Sequence, residues 1–600
     1  MKHLILSAIT MVALAGEMQA YSPAGDRIMT TWGENIDVNN VWNQYPRPLL
    51  ERKEWKNLNG LWNYSIRPVG EAAPEHYDGE ILVPFAVESA LSGVGKEVGE
   101  DNELWYNYKF SIPSEWGKNN VMLNFGAVDW KCDVWVNDTH VGSHTGGYTP
   151  FSLDITKALV ANGDNMLTVR VWDPTDNGPQ PRGKQVSDPR GIWYTPVTGI
   201  WQTVWLEPVN SSHITDLRIL PDIDKGVLSV EVVSTNPQGT KAEVKVLDGG
   251  KVVASGTGSG MIEIKMPVGF KLWDTEHPNL YDLEVKLYAD GKSVDEVKSY
   301  AAMRKFSTAT DDKGIVRIQL NNKDLFQFGP LDQGWWPDGL YTAPSYEAMI
   351  YDIDKTKDWG FNMIRKHIKV EPATWYAHCD RVGIIVWQDM PSGDKNPRWQ
   401  NHTYFNGTEL VRTAESEATY RKEWKEIVDC LYSYPCISTW VPFNEAWGQF
   451  KTPEIAEWTK AMDPSRLVNP ASGGNFYKTG DILDLHNYPG PEMYLFDPER
   501  ANVLGEYGGI GLAVDGHLWA PDMNWGYVQY NTVEEVTNEY ENFANQLYEM
   551  IAKGFTGAVY TQTTDVEIEV NGIMTYDRKV IKMDEPRIRA INRKIVNSLK

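Results

Sequence analysis

The sequence predicts three domains: an N-terminal jelly-roll β-sandwich, an immunoglobulin-like β-sandwich and a C-terminal (β/α)₈ TIM barrel. Three observations lead to this prediction. The chain has 600 residues, which is too many for one hydrophobic core. Short alternating runs separated by Gly, Pro, Asn and Asp fill its first half, as in all-β domains. After about Ser307, apolar strand-like runs alternate with helix-like stretches, as in a parallel barrel.

The first 20 residues have the pattern of an export signal. Lys2 and His3 are followed by an apolar run over residues 4–16, and Ala20 offers a cleavage site. That run is too short to span a membrane, and no later segment reaches about 18 uninterrupted apolar residues. We therefore expect a periplasmic or secreted protein without membrane insertion.

The charge and the cysteine count exclude several classes of protein. The formal net charge is −24, from 57 Lys and Arg against 81 Asp and Glu, which argues against nucleic acid as a partner. Four cysteines are too few for a disulfide scaffold, although Cys430 and Cys436 could pair in an oxidising compartment. No CxxC pair is present, so we expect no structural zinc site. We also predict no cofactor.

Residues 21–210 and 211–306 are predicted as two β-domains. Runs of alternating apolar residues lie at 121–125, 132–136 and 166–171 in the first, and at 228–233, 242–247 and 283–288 in the second. Such period-two runs belong to half-buried strands of a sandwich. The second domain carries no chemical motif, and we interpret it as a spacer.

Residues 307–600 are predicted as the barrel. The candidate strands are 325–331, 362–366, 384–388, 437–443, 467–470, 482–485, 502–505 and 557–561, and helix-like stretches include 346–359, 371–381, 415–432 and 533–552. Eight such units are the expectation for a (β/α)₈ barrel, whose active sites lie at the carboxyl ends of the strands.

Two glutamates end buried strands of this barrel. Glu445 follows the fourth strand and Glu506 ends the seventh, so both should face one mouth. A buried carboxylate without a partner is costly, so packing alone does not explain them. Two facing carboxylates are what a glycosidase requires, with Glu445 as acid/base and Glu506 as nucleophile. The alternative is a pair of salt-bridged carboxylates at strand ends.

From about Arg47 onward the chain resembles glycoside hydrolase family 2, which contains β-galactosidases, β-glucuronidases and β-mannosidases. Asn444-Glu445 is similar to the family's acid/base motif, and residues 505–508 (Gly-Glu-Tyr-Gly) to its nucleophile motif. Residues 272–281 resemble the end of its central sandwich, and residues 199–206 the closing strand of its sugar-binding domain.

The resemblance also implies roles for residues around the two glutamates. Asn444 should bond the 2-hydroxyl of the sugar, Tyr488 should orient the nucleophile, and Arg365 should lie beneath the nucleophile carboxylate. For Tyr488 and Arg365 the alternative is packing at the barrel mouth. We also expect Glu445 to be held protonated near neutral pH by apolar surroundings and the neighbouring anion.

Other residues at strand ends are weaker candidates for the sugar site. His367, His486 and Asp389 could bond sugar hydroxyls, while Trp335 and Trp336 could form an aromatic wall or simply pack. The two histidines have no obvious third ligand, so a metal site is not expected. The loop 517–527 could shape the leaving-group subsite.

The identity of the sugar is less determined than the family. Compared with β-galactosidases, the chain departs from the family pattern at residues 365–369 (Arg-Lys-His-Ile-Lys). Compared with β-glucuronidases, it lacks a lysine at residues 571–573 (Asn-Gly-Ile). Residues 386–389 resemble a mannosidase segment, but the glycine-rich stretch of mannosidases is missing. We predict an exported, retaining exo-β-glycosidase that forms a covalent glycosyl-enzyme intermediate. Its substrate would be a β-glycoside derived from oligo- or polysaccharides, and a β-galactoside-like sugar is the first choice among the candidates. The alternatives are β-mannoside, β-glucuronide or α-L-arabinoside specificity, or a non-catalytic glycan-binding protein, and a homo-oligomer is compatible with all of them.

Overall fold

A computed structural model describes residues 21–160, 163–395 and 409–600, so the predicted export signal, residues 1–20, lies outside the described residues. The predicted fold class is confirmed, because two β-sandwich regions precede a parallel eight-stranded sheet. Among the described residues, no helix combines the length and the apolar character needed to cross a bilayer.

The N-terminal domain consists of two facing antiparallel sheets. Its strands are β1 (Lys56–Asn57), β2 (Gly60–Pro68), β3 (Gly79–Val83), β4 (Asn102–Ser111), β5 (Asn120–Phe125), β6 (Val128–Asp129), β7 (Lys131–Val136), β8 (Thr139–Thr145), β9 (Phe151–Asp154), β10 (Asp164–Trp172), β11 (Gly199–Ile200) and β12 (Val204–Val209). The sheets have the orders β3-β2-β4-β10-β7-β8 and β1-β12-β5-β9, and β11 pairs with β6. Along β10, Leu167, Val169 and Val171 are buried while alternate residues are not, as the period-two pattern predicts.

The second domain is a smaller sandwich. Its strands are β13 (Ile214–Asp222), β14 (Val227–Ser234), β15 (Thr240–Asp248), β16 (Lys251–Gly258), β17 (Met261–Lys265), β18 (Tyr281–Ala289) and β19 (Lys292–Ala301), arranged as β13-β14-β17 and β16-β15-β18-β19. A small sheet of β20 (Phe306–Thr310), β21 (Val316–Leu320) and β22 (Lys323–Asp324) leads into the barrel.

The barrel strands follow the predicted order. They are β23 (Gln327–Asp332), β24 (Met363–Lys366), β25 (Ile385–Asp389), β26 (Ile437–Val441), β27 (Leu467–Val468), β28 (Ile482–His486), β29 (Ala501–Gly508) and β32 (Phe555–Thr561), while β30 (Ile510–Gly511) and β31 (Val528–Gln529) pair outside the barrel. The helices are α1 (Thr31–Glu34), α2 (Tyr346–Asp358), α3 (Ala373–Val382), α4 (Ala414–Leu431), α5 (Thr452–Met462), α6 (Val533–Ile551) and α7 (Glu585–Val596), with single 3₁₀ turns at Ala90–Ser92, Ser114–Trp116 and Thr156–Ala158.

The barrel strands are buried on both faces. Every residue of β25, β26, β29 and β32 is buried, because one face fills the barrel and the other meets the helices. The order β27-β26-β25-β24-β23-β32-β29-β28 leaves the barrel nearly closed. Since the strands are parallel, their carboxyl ends gather at one mouth, where Glu445 and Glu506 lie.

The N-terminal domain covers part of this mouth. Residues 173–198, between β10 and β11, form what we call the mouth loop. The Gly183 N–H donates to the Ser392 carbonyl at 3.1 Å, and the Thr195 N–H donates to Glu567 Oε1 at 2.8 Å. The loop therefore contacts segments that follow the third and the eighth barrel strands.

The cysteines carry no cross-link. Cys430 and Cys436 are both free thiols, so the pairing considered from the sequence is not formed.

Candidate active site

A strained turn presents Glu445 to the barrel mouth. Glu445 and Ala446 have φ values of 50° and 70°, in the left-handed region that non-glycine residues seldom adopt. The Glu445 N–H donates to the Ser472 carbonyl at 2.7 Å, which anchors the turn. Such conformations persist where surrounding structure imposes them, and they concentrate at functional sites.

Glu506 lies within β29 and is 5% exposed. The preceding Gly505 has a packing reason, because a Cβ there would lie 2.1 Å from Oδ1 of Asp484. Arg365 Nη1 donates to Glu506 Oε1 at 3.1 Å, and the Tyr488 hydroxyl donates to Oε2 at 2.7 Å. Both oxygens of Glu506 are thus oriented by the residues that the resemblance implied.

Arg365 links four groups beneath the pocket. Besides Glu506, it donates to the carbonyl of Gly505 at 3.1 Å, to Asn444 Oδ1 at 2.7 Å and to Asp389 at 2.9 Å. This fully buried guanidinium fixes the amide of Asn444, which leaves its N–H groups on the Glu445 side, 3.4 Å from Oε2. Asn444 is therefore held with its donors near the Glu445 carboxylate.

The two candidate glutamates approach each other at His486. One carboxylate oxygen of Glu445, one of Glu506 and a ring nitrogen of His486 all lie within 4.8 Å of one another. His486 Nδ1 is 3.1 Å from Glu445 Oε1 and 3.5 Å from Glu506 Oε2, while its Nε2 is 2.7 Å from Ser472 Oγ. Retaining glycosidases place their carboxyl groups about 5–5.5 Å apart, and inverting enzymes place them farther apart.

The protonation of Glu445 differs from our expectation. Burial alone raises the pKa of its carboxyl, but the hydrogen bond and charge of His486, with Lys184 and Arg365, outweigh burial and lower it. Burial lowers the pKa of His486, but Glu506 and Glu445 raise it above the ordinary value. The expectation that apolar surroundings keep Glu445 protonated is therefore wrong, because His486 favours the ionised carboxylate more than burial disfavours it.

These three groups also have the composition of a cation site, with two carboxylates and one imidazole. The imidazole of His486 lies against both carboxylates, and the guanidinium of Arg365 is paired with Glu506.

Asp389 and His367 are bonded to each other beside Arg365. Asp389 is 1% exposed, and Arg365 and His367 Nδ1 occupy its oxygens at 2.9 and 2.8 Å. Burial raises the pKa of Asp389 to about 6 even though Arg365 opposes the shift. Burial, then Lys184, lowers the pKa of His367 well below its usual value, so its ring is neutral. The carboxylate of Asp389 thus bonds protein groups, and its role toward a sugar hydroxyl stays a prediction.

Trp335 and Trp336 are 2% and 3% exposed and pack against other side chains. The Trp335 ring contacts Tyr194 and Tyr341, and the Arg578 guanidinium lies 3.8 Å from the centroid of the Trp336 ring. The structure favours core packing, the alternative to an aromatic wall. Within the 517–527 loop, Tyr527 instead reaches the site and stacks on Tyr488 with centroids 3.8 Å apart.

Three site residues were not found from the sequence. Glu569, after the last barrel strand, accepts hydrogen bonds from the Tyr194 hydroxyl at 2.5 Å and from Asn571 at 3.0 Å. Lys184 and Tyr194 arrive from the mouth loop. The position of Glu569 after a barrel strand was a usable signal, whereas nothing in the sequence marks the mouth loop as part of this site.

Three models of one protein family match successive parts of this chain. Residues 55–206 match the family model "Glycosyl hydrolases family 2, sugar binding domain", residues 212–304 match "Glycosyl hydrolases family 2", and residues 318–589 match its "TIM barrel domain". A beta-galactosidase of Thermoanaerobacter pseudethanolicus is 24% identical over 454 residues, covering 71% of this chain and 56% of its own length. A beta-glucuronidase of Felis catus is 26% identical over 495 residues, which cover 72% of this chain and 70% of that protein.

A solved structure shares the fold. The beta-D-glucuronidase of Dictyoglomus thermophilum superposes with a TM-score of 0.72 at 20% identity, covering 92% of this chain and 98% of that one. The chain spans about half the length of the first curated relatives it matches, between 40% and 56%.

Proposed function

Because the chain belongs to glycoside hydrolase family 2, we propose that it is a retaining exo-β-glycosidase, with Glu506 as nucleophile and Glu445 as acid/base. The observation that carries this proposal is the approach of the two carboxylates to within 4.8 Å. At that separation one carboxylate attacks the anomeric carbon directly, with no room for an intervening water.

In the first step, a Glu506 oxygen forms a bond to the anomeric carbon while the glycosidic bond breaks. The departing oxygen keeps the bonding electron pair and takes a proton from Glu445. Glu445 obtains that proton from His486 Nδ1 across their 3.1 Å hydrogen bond. In the second step Glu445 removes a proton from water, whose oxygen replaces Glu506 at the anomeric carbon.

Arg365 and Tyr488 would support both steps. Each bonds one oxygen of Glu506, at 3.1 and 2.7 Å, so the carboxylate is held before it attacks and is stabilised when it leaves. Asn444, fixed by Arg365, has donors available for the sugar 2-hydroxyl. The N-terminal 20 residues support export to the periplasm or medium as part of the same proposal.

The first test is hydrolysis of p-nitrophenyl β-glycosides: galactoside, glucuronide, mannoside, glucoside and α-L-arabinopyranoside. Nitrophenol release separates an enzyme from a glycan-binding protein, which releases none. Proton NMR of the first-formed sugar should show retained configuration, and an inverted product would refute the double displacement. Relatives named beta-galactosidase and beta-glucuronidase support the first two sugars.

A further inference from the structure

Lys184 is held over the catalytic pocket by its neighbours in the mouth loop. The Gly183 N–H donates to the Ser392 carbonyl at 3.1 Å, beyond β25. A Cβ at Gly183 would lie 2.7 Å from the Ile368 carbonyl oxygen, beyond β24. The Lys184 carbonyl accepts the Tyr194 N–H at 2.9 Å. The backbone of Lys184 is therefore fixed against the barrel mouth rather than free to swing away.

The ammonium of Lys184 has no acceptor among the described residues, although the residue as a whole is largely buried. The residue is 6% exposed, and its Nζ lies 5.8 Å from the centroid of the Tyr194 ring. The other buried lysines of the described chain have close partners: Lys366 Nζ donates to Asp332 at 2.8 Å, Lys369 Nζ to the Gly334 carbonyl at 2.6 Å, and Lys582 Nζ to the Val570 carbonyl at 2.9 Å. In the part of the chain that the structure describes, Lys184 Nζ has neither a hydrogen bond nor an ion pair.

The groups that surround this ammonium belong to the catalytic pocket. Burial lowers the pKa of Lys184, and the charges of Glu569, Glu506 and Glu445 oppose that shift. The Tyr194 ring beneath Nζ carries the hydroxyl that bonds Glu569 at 2.5 Å. Lys184 thus lies within electrostatic reach of both candidate catalytic carboxylates and is ion-paired with neither.

We propose that Lys184 binds an anionic substituent, a carboxylate or a sulfate ester, on the sugar in the catalytic pocket, and so selects an acidic sugar over its neutral counterpart. This inference rests on the proposed function. An ammonium that has no protein acceptor is free to bind a substrate anion, and hydrogen bonds between two charged groups are among the stronger ones. An anionic sugar would otherwise be repelled by Glu445 and Glu506, and the cation offsets that repulsion.

The positive charge of Lys184 comes from a different part of the chain than the lysine that the resemblance to β-glucuronidases implied. Residues 571–573 are Asn-Gly-Ile, without the lysine that the resemblance to β-glucuronidases implied at this place. Lys184 supplies an ammonium to the pocket from the N-terminal domain instead. Specificity for an acidic sugar is therefore compatible with the absence of that lysine.

Binding to the intact protein tests the inference without requiring turnover. Calorimetry would compare D-glucuronic acid with D-glucose, D-galacturonic acid with D-galactose, and galactose 6-sulfate with galactose. We expect one acidic sugar to bind at least about 10-fold more tightly than its neutral partner, and the preference to fall by on the order of 10- to 100-fold in Lys184→Met. The favoured anion distinguishes carboxylate from sulfate.

Two further variants separate charge from other effects. Lys184→Gln keeps hydrogen-bond donors but removes the charge, and should lose the preference as Lys184→Met does. Lys553→Met removes the same charge from an exposed residue just before β32 begins, at the opposite end of the barrel, and should keep the preference. Thermal melting shows whether each variant is folded.

Steady-state kinetics gives a second, independent test of the role of Lys184. The ratio of kcat/KM for p-nitrophenyl β-D-glucuronide to that for the β-D-galactoside should fall at least about 10-fold in Lys184→Met if the carboxylate is the ligand. Equal binding of acidic and neutral sugars by the native protein, or an equal loss for both in the variant, overturns the inference while leaving the proposed hydrolysis intact. If no glycoside is hydrolysed, the proposed function fails, and the binding arm still decides the role of Lys184.

Discussion

The imidazole of His486 is hydrogen-bonded to the carboxylate of Glu445, with 3.1 Å between Nδ1 and Oε1. The same nitrogen is 3.5 Å from Glu506 Oε2, so one proton site serves two carboxylates. This arrangement explains why the pKa of Glu445 is lowered despite burial, and it makes the pair rather than the glutamate alone the reservoir of the catalytic proton.

His486→Gln should move the basic limb of the kcat/KM profile to lower pH. Burial lowers the pKa of His486, but Glu506 and Glu445 raise it above 6.5, so the native pair keeps its proton until the pH exceeds that raised value. In the variant Glu445 holds the proton alone, and a carboxyl group releases it at lower pH than such an imidazolium. Rates measured from about pH 4 to 9 would show the shift. His140→Gln, at an exposed histidine, is the control, and an unmoved limb would contradict the shared-proton interpretation.

Glu506→Ala should reduce turnover of aryl β-glycosides by on the order of 10³-fold or more, because no nucleophile remains to form the intermediate. Added azide should restore part of the rate by entering the vacated space and attacking the anomeric carbon. The variant's melting temperature shows whether the fold is retained. Full activity in the absence of azide would mean that another group is the nucleophile.

Tyr488→Phe should lower kcat by about 10-fold or more while leaving the fold unchanged. The change removes the 2.7 Å hydrogen bond to Glu506 Oε2, but the ring keeps its stack on Tyr527 at 3.8 Å. Steady-state kinetics with an aryl glycoside gives the measurement. Tyr548→Phe on α6, remote from the site, is the matched control, and equal kinetics in the two variants would assign Tyr488 to packing alone.

Arg365→Met should destabilise the protein by about 3–5 kcal/mol near neutral pH, since Glu506 and Asp389 would be left buried without their cation. Burial already raises the pKa of Asp389 to about 6, against its ordinary 3.8, and loss of Arg365 would raise it further. A carboxyl whose folded pKa exceeds its unfolded pKa destabilises the fold increasingly as pH rises. The difference in melting temperature between variant and native protein should therefore narrow from about pH 7 to 5, and a constant difference would contradict this account.

Much of the fold followed from local patterns. The eight barrel strands were predicted in their order because each is an apolar run buried on both faces, and their carboxyl ends placed Glu445 and Glu506 together. The predicted helix-like stretches 415–432 and 533–552 lie within one residue of α4 and α6, where Thr413 and Thr532 accept backbone N–H groups of the first turn.

Other parts of the site depended on contacts between distant segments. From their position after the first barrel strand, Trp335 and Trp336 could form an aromatic wall for the sugar. In the structure their rings pack against Tyr194, Tyr341 and Arg578. Asp389 ends a strand as a sugar ligand would, yet Arg365 and His367 occupy its oxygens. Spacing along the chain predicts the position of a side chain in the barrel. It does not predict which side chains from distant segments contact that side chain.

The sequence by itself determined the three domains, the parallel barrel and the pair of glutamates at its mouth, because burial period and strand order are properties of local chain segments. Only the tertiary structure decided that His486 bonds Glu445 and that Lys184 enters the pocket from the N-terminal domain. Protonation and charge depend on distances of a few ångströms between groups far apart in the chain, and packing alone sets those distances.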